Sequence, residues 1–318
     1  MTDLDPKRAA AWLSTGLAGR GAGALAVRLH GEQLEVSQDV GASAPCFPVY
    51  SIAKLWIATA LLQQADEGRL SLEEPVARWH PDVPGAETFS LRQVLAHRAG
   101  LRDYGGLPDY HQALARQPDK AWTREEYARH TWGLGLQSPP GESFAYSNPG
   151  YRLAQEIAAQ VDGCSVSEVL RRRILQPLAL AHSFPLETSA DYRRLEAGTS
   201  ARLATDGERR DVREWMDPAW VFHATLGSTA GDCVHVLAAL AQGELVSPEA
   251  LAAMTELRPI GFAAPPSVEP SYGLGLMGDL RSPYGRTFGH NGGGPGYTAS
   301  AFHAPEHPAG PLTVAVLC

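Results

Sequence analysis

The stretch from Pro45 to Leu62 constrains this chain more than any other. Pro45 and Pro48 hold the approach extended, and Ser51 then opens a run of strong helix formers. From Ile52 to Leu62 the only charge is Lys54, and apolar residues fall on every side of the helical wheel. A helix that is apolar all round offers no face to water, so the rest of the fold must enclose it. An ammonium group is thereby placed inside the protein, three residues after a serine at the helix start. Serine at that place reads as an N-cap, which accounts for Ser51 but not for Lys54. A capping box takes Glu or Gln at the third helical position, and the positive end of the helix repels a cation. Burial disfavours the charged form of a lysine and brings it toward the range of a usable base. Of the 27 Lys and Arg, only Lys7, Lys54 and Lys120 are lysine, and arginine cannot give up its proton. Ser51 is therefore either a cap or a nucleophile served by Lys54.

The chain's 318 residues can hold one large domain or two interleaved ones. A formal charge of −8 argues against a nucleic-acid or anionic-membrane surface. No apolar run reaches the length of a transmembrane helix. The start, Met1-Thr2-Asp3-Leu4-Asp5-Pro6, lacks the basic opening and apolar core of a signal peptide, so a cytoplasmic protein is expected. Cys46, Cys164, Cys233 and Cys318 show no Cys-x-x-Cys spacing, and no His-Glu-x-x-His occurs among the eleven histidines. Neither a metal site nor a cofactor is expected.

Residues Pro6 to Leu17 read as a helix, and Gly23 to His30 and Leu34 to Val40 as two strands of a hairpin turning at His30-Gly31-Glu32. From Ser90 to about Leu180 the pattern is helical: Leu91 to Leu95, Arg124 to Thr131, Gly150 to Val161 and Val166 to Leu175. Arg102 to Gln117 and Pro259 to Pro270 read as loops. Helix resumes at Asp232 to Gln242 and Pro248 to Leu257, followed by strands at Tyr272 to Asp279, Arg286 to Gly289, Tyr297 to His303 and Leu312 to Leu317. Strands at both ends with helices between predict an α/β (α+β) fold: an antiparallel sheet built from both termini and flanked by helices. The sheet domain would comprise residues 1–78 and 226–318, with a mainly helical domain, 79–225, inserted. Gly273, Gly275 and Gly278 fit G-x-G-x-x-G, but a turn and not a helix follows, which argues against a dinucleotide site. No G-x-S-x-G and no Walker motif occur.

Two further clusters carry chemistry. Tyr146-Ser147-Asn148-Pro149-Gly150 reads on its own as a turn. A tyrosine near a cation can also exchange protons, and an asparagine two residues on offers a donor and an acceptor to a substrate amide. Phe288-Gly289-His290-Asn291-Gly292-Gly293-Gly294 reads on its own as a flexible hairpin. Glycine inside a strand pattern also marks close approach of a ligand to the backbone, where an N–H can join that of Ser51 in an oxyanion hole.

With these three clusters in order, the chain resembles the serine β-lactamase and penicillin-binding-protein superfamily. The nearer match is the branch of class C β-lactamases, D-alanyl carboxypeptidases, D-aminopeptidases and related esterases. Ser51-Ile52-Ala53-Lys54 looks like its S-x-x-K motif, Tyr146-Ser147-Asn148 like Y-x-N, and His290-Asn291-Gly292 like the H-x-G form of the third motif. Leu91 to Leu101 and Leu226 to Asp232 match intervening family text. The resemblance implies that Ser51 forms an acyl-enzyme, with Lys54 and Tyr146 sharing the proton work and either one as base. Asn148, His290, Asn291 and Gly292 would bind substrate, and the N–H groups of Ser51 and Gly293 would form the oxyanion hole. His97 is read as structural.

Three departures shape the functional expectation. Asn291 and Gly293 lack the hydroxyl that helps hold the free carboxylate of β-lactams and D-Ala-D-Ala peptides. No export signal is read. The chain stops inside a strand at Cys318, where the family continues into a covering helix; either the sequence is cut short or an apolar face is left for self-association. The expected activity is cleavage of small esters or amides, D-amino-acid amides or peptides among them. The alternatives are a β-lactamase or D,D-carboxypeptidase, and a catalytically silent binding module of the same fold.

Overall fold

The computed structural model describes residues 4–19, 21–221 and 225–318, so the leader reading of Met1 to Asp3 lies outside it. Eight strands form one antiparallel sheet in the order Glu32–Gln38, Gly23–Leu29, Leu312–Leu317, Tyr297–Ala304, Gly285–Gly294, Met277–Ser282, Pro270–Tyr272 and Arg258–Pro259. The first hairpin turns through His30 and Gly31, both at positive φ, and the last strand pairs with it from Leu317 opposite Ala24 to Leu312 opposite Leu29. The sheet is thus built from both ends of the chain, and the fold is mixed α/β with helices flanking antiparallel strands.

Alternation along the strands gives the sheet two different faces. Ala24, Ala26, Ala301 and Ala315 point inward, and these small side chains let the helix Ala230–Ala241 lie close against the sheet. Leu25 points outward and meets Leu13 and Leu17 of helix α1 (Pro6–Leu17), with Val27, Val36, Val314 and Val316 packed around them. No helix among the described residues is long and apolar enough to cross a membrane.

Helix α2 (Ala53–Asp66) lies in the main core. Every residue from Ala53 to Leu62 is buried, Lys54 included, as its apolar wheel demands. Helices α3 (Leu91–Leu95), α4 (Pro108–Arg116), α5 (Arg124–His130) and α6 (Asn148–Asp162) follow in the chain. Helix α6 packs on α2 through its apolar stripe Leu153, Ala154, Ile157 and Ala158. Gln64 of α2 donates to the Ala158 carbonyl at 2.9 Å, which satisfies a polar group in that contact.

Three sequence expectations need correction. The segment Arg102 to Gln117 is not all loop, because Pro108 opens α4 and turns Tyr110 and Leu114 inward. Tyr272 to Asp279 is two strands joined by a tight turn, with Gly275 at φ +74. A Cβ there would stand 2.6 Å from that of Ala58, so the turn presses on α2 as only glycine allows. The glycine cluster after Phe288 is not a flexible hairpin: Gly285–Gly294 is one ten-residue strand, and the turn is Pro295-Gly296 alone.

Candidate active site

The turn carrying Ser51 is a single 3-10 turn, Tyr50–Ile52, that feeds into α2. The Ser51 side chain makes no capping bond there, so the simple cap reading falls away. Tyr50 is held at φ +45, a left-handed conformation that costs a residue of this size about 1–3 kcal/mol. Its buried hydroxyl donates to the Pro295 carbonyl at 2.8 Å, tying the Ser51 turn to the strand hairpin.

Lys54, three residues on, returns its side chain to that turn. Its Nζ donates to Ser51 Oγ at 2.9 Å and to Asn148 Oδ1 at 2.7 Å. The ammonium also lies 5.0 Å from the ring centroid of Tyr146 and 5.4 Å from that of Tyr151. Burial pushes the Lys54 amine well below the usual lysine range, and the negative charge of Asp103 restores only part of that. The Tyr146 hydroxyl moves the opposite way. Burial pushes it above the usual phenol range against the pull of its hydrogen bond with Ser51. Ser51 thus sits between an amine inclined to lose its proton and a phenol inclined to keep one.

Asn148 is the first residue of α6 and is oriented from both sides. Its Oδ1 accepts from Lys54 Nζ, while its Nδ2 lies 3.4 Å from Asp103 Oδ2, an acceptor only. Asp103 also accepts the backbone N–H groups of Asn148, at 2.8 Å, and Gly105, at 3.1 Å. Burial raises its carboxyl, and those N–H bonds pull it back. Sequence reasoning missed Asp103, a lone acid in a segment read as loop.

His97 is also buried, as a structural histidine should be. Its Nδ1 accepts the Ser147 N–H at 3.0 Å, its carbonyl accepts the Ala145 N–H at 2.7 Å, and its ring lies 4.2 Å from that of Tyr146. It holds the backbone on both sides of Tyr146. With Nδ1 accepting, the proton sits on Nε2, which has no partner and lies among the rings of Tyr151 and Tyr272. Burial and the nearby Lys54 push its pKa well below the usual range.

The glycine-rich strand brings its backbone to Ser51. Gly292 faces the turn: a Cβ there would run into the Val49 carbonyl oxygen and stand 3.3 Å from the Ser51 nitrogen. Gly293 is open, with nothing within 4 Å of where a Cβ would stand. The neighbouring strand Met277–Ser282 pairs only as far as Gly289, so the edge beyond it carries no strand partner on that side. His290 is fully buried. Its Nδ1 bonds the Asn291 carbonyl, and its Nε2 accepts from the Tyr272 hydroxyl at 3.0 Å, so neither nitrogen is free for a ligand. Its pKa is pushed down to about 3, by burial first and Lys54 second. Asn291 lies on the exposed side of the strand and accepts from Ser300 Oγ at 2.9 Å.

A serine, a buried lysine, a tyrosine and an asparagine therefore meet beside a glycine strand, in the order the three motifs require. The sequence profile described as beta-lactamase matches residues 10–318. The chain belongs to the beta-lactamase family. Among curated relatives of this family member, penicillin-binding protein 4* of Bacillus subtilis (strain 168) is 25% identical over 280 residues, covering 82% of this chain and 58% of the relative. The chain spans about half the length of the curated relatives it matches. A D-stereospecific amidohydrolase from Streptomyces sp. superposes with a TM-score of 0.86 at 27% identity, covering 99% of this chain and 94% of its own. A D-amino acid amidase from Ochrobactrum anthropi SV3, in complex with D-phenylalanine, superposes at 0.83 with 27% identity, covering 99% and 91%.

Proposed function

We propose that this protein is a serine hydrolase that cleaves small amides or esters through an acyl-enzyme on Ser51. One observation carries the reading: Lys54 Nζ lies 2.9 Å from Ser51 Oγ in a place where burial favours the neutral amine. A neutral amine at that distance can take the serine proton as Oγ attacks the substrate carbonyl. The opposite shifts of Lys54 and Tyr146 support Lys54 as the base and Tyr146 as the group that relays a proton to the leaving group. Asn148 holds Lys54 through its oxygen and keeps one amide hydrogen for the substrate. The N–H groups of Ser51 and Gly293 receive the oxyanion, each worth about 3 kcal/mol of transition-state stabilisation. Gly292 permits the close approach that brings the two donors together, and His290 and Tyr272 support the wall behind it.

The amidohydrolase and amidase likeness supports amides as substrates. Neither Asn291, which is committed to Ser300, nor Gly293 offers a hydroxyl to a leaving-group carboxylate, and this disfavours D,D-carboxypeptidase activity. A fluorophosphonate probe should add its mass to Ser51 in the wild type and not in Ser51→Ala. Unlabelled wild-type protein, or equal ester turnover by both, would refute the reading.

A further inference from the structure

A cavity of about 140 Å³ opens beside Ser51, bounded on one side by Asn148 and on the other by Gly293, Gly294 and Pro295. Tyr146, the proposed donor to the leaving group, is not part of its wall, so the cavity lies on the acyl side of the scissile bond. That volume is close to the ~150 Å³ that admits a benzene-sized group. Its far wall is apolar and aromatic, made by Tyr110 and Leu114 of α4 together with Tyr104 and Trp220. The Tyr110 hydroxyl is committed to the Trp220 carbonyl at 3.1 Å, so it offers a ligand little beyond its ring.

The charged side chain that lines this cavity is basic. Arg202 stands at its mouth, on the 3-10 turn Ala201–Leu203 that packs against α4. Its side chain is exposed, and no carboxylate among the described residues pairs with it. Its guanidinium favours the ionised forms of Tyr50 and Tyr110, although at Tyr110 the charge of Asp103 acts against it and is the stronger of the two. His111, the other basic side chain on the wall, bonds the Gly105 carbonyl at 2.9 Å. Asp103, whose charge reaches Tyr110, does not line the wall and spends its oxygens on Asn148 and Gly105. On the wall itself an ammonium group would meet a guanidinium and no acid, while an anion would meet a guanidinium that no described carboxylate pairs with.

We infer that the acyl pocket selects acyl groups with a short apolar body ending in a carboxylate, and rejects acyl groups carrying a free amine. This specificity rests on the Ser51 reading for its chemistry, but binding in the cavity does not. The test uses three 4-nitrophenyl esters of matched length: the adipate monoester, the hexanoate and the 6-aminohexanoate. The wild type should rank them carboxylate, neutral, ammonium, with about fivefold in kcat/KM at each step, the scale of one exposed ion pair. Arg202→Gln should flatten the ranking, Arg202→Lys should keep it, and Arg202→Glu should invert it. Faster turnover of the ammonium ester is a gain that a misfolded variant cannot produce. In parallel, Ser51→Ala would be titrated with adipamate, hexanamide and 6-aminohexanamide, which reads the cavity without any turnover. Preference for adipamate with no ester hydrolysis would overturn the Ser51 chemistry and leave the pocket assignment standing. Equal turnover and equal binding across the charge series, or a ranking that survives Arg202→Glu, would overturn the pocket assignment.

Discussion

Replacing Gly292 by alanine tests the central geometry with a single methyl group. The new Cβ would run into the Val49 carbonyl oxygen, 3.1 Å from its carbon, and crowd the Ser51 nitrogen. Val49 cannot yield cheaply. It is fully buried, its N–H bonds the Leu226 carbonyl at 2.9 Å, and its carbonyl accepts the Ile52 N–H at 3.1 Å. The strand must therefore retreat from the Ser51 turn by ~1 Å, a misplacement that costs about 100-fold in rate when it lies between reacting groups. Gly293 would move with it, and loss of one oxyanion donor costs about 100- to 1,000-fold. We expect kcat to fall at least 100-fold while Tm drops by no more than the ~1–3 kcal/mol of an overpacked contact implies. Gly293→Ala, whose Cβ meets nothing, supplies the stability control and should melt with the wild type. Steady-state kinetics on a chromogenic ester, with burst titration to count active sites, separates the two effects. Wild-type kcat in a folded Gly292→Ala protein would refute both the oxyanion assignment and the role of glycine at this position.

Other outcomes follow from the same site. Lys54→Arg keeps the charge but cannot release a proton, so turnover should fall by about 100-fold or more while the fold persists; retained turnover would rule out Lys54 as base. Asp103→Asn removes the charge that raises the Lys54 pKa, so the acid limb of the kcat/KM profile should move to lower pH, and an unmoved limb would contradict the coupling. His97 is held neutral well below its usual range, His290 is pushed down to about 3, and His303 to about 4, all chiefly by burial. The unfolded chain protonates these histidines below about pH 6.5 and the native protein does not, so stability should fall from there toward pH 4. Each histidine contributes up to about 1.4 kcal/mol per pH unit. Urea midpoints between pH 7 and 4.5 check this, and a flat profile would count against neutral burial.

Much of the fold and part of the site could be read from spacing. The unbroken apolar wheel around Lys54 forces burial, and strand periodicity at both termini fixes which segments share the sheet. Helix α4 escaped because Gly105 and Gly106 precede it and only Tyr110 and Leu114 mark its inner face. The alternation from Tyr272 to Asp279 imitates one strand, since the turn at Gly275 is set by contact with α2 and leaves no mark in the local pattern. Asp103 was invisible for a similar reason: Asn148, which it bonds, and Lys54, on which its charge acts, are distant in sequence, and an isolated acid between Arg102 and Tyr104 resembles any surface charge. The full burial of His290 depends on Tyr272, which no motif connects to it.

Asp103 has one more consequence. The segment that begins with it continues through Tyr104 and Gly105 into α4, so the same stretch of backbone carries the charge that acts on Lys54, the proposed base, and forms a wall of the proposed acyl cavity. On the proposed function, substrate choice and working pH are then not independent traits of this protein. A substitution that widens the cavity by shifting this segment will also move the carboxylate that faces Lys54. Variants selected for a bulkier acyl group should arrive with a displaced pH optimum that nobody selected.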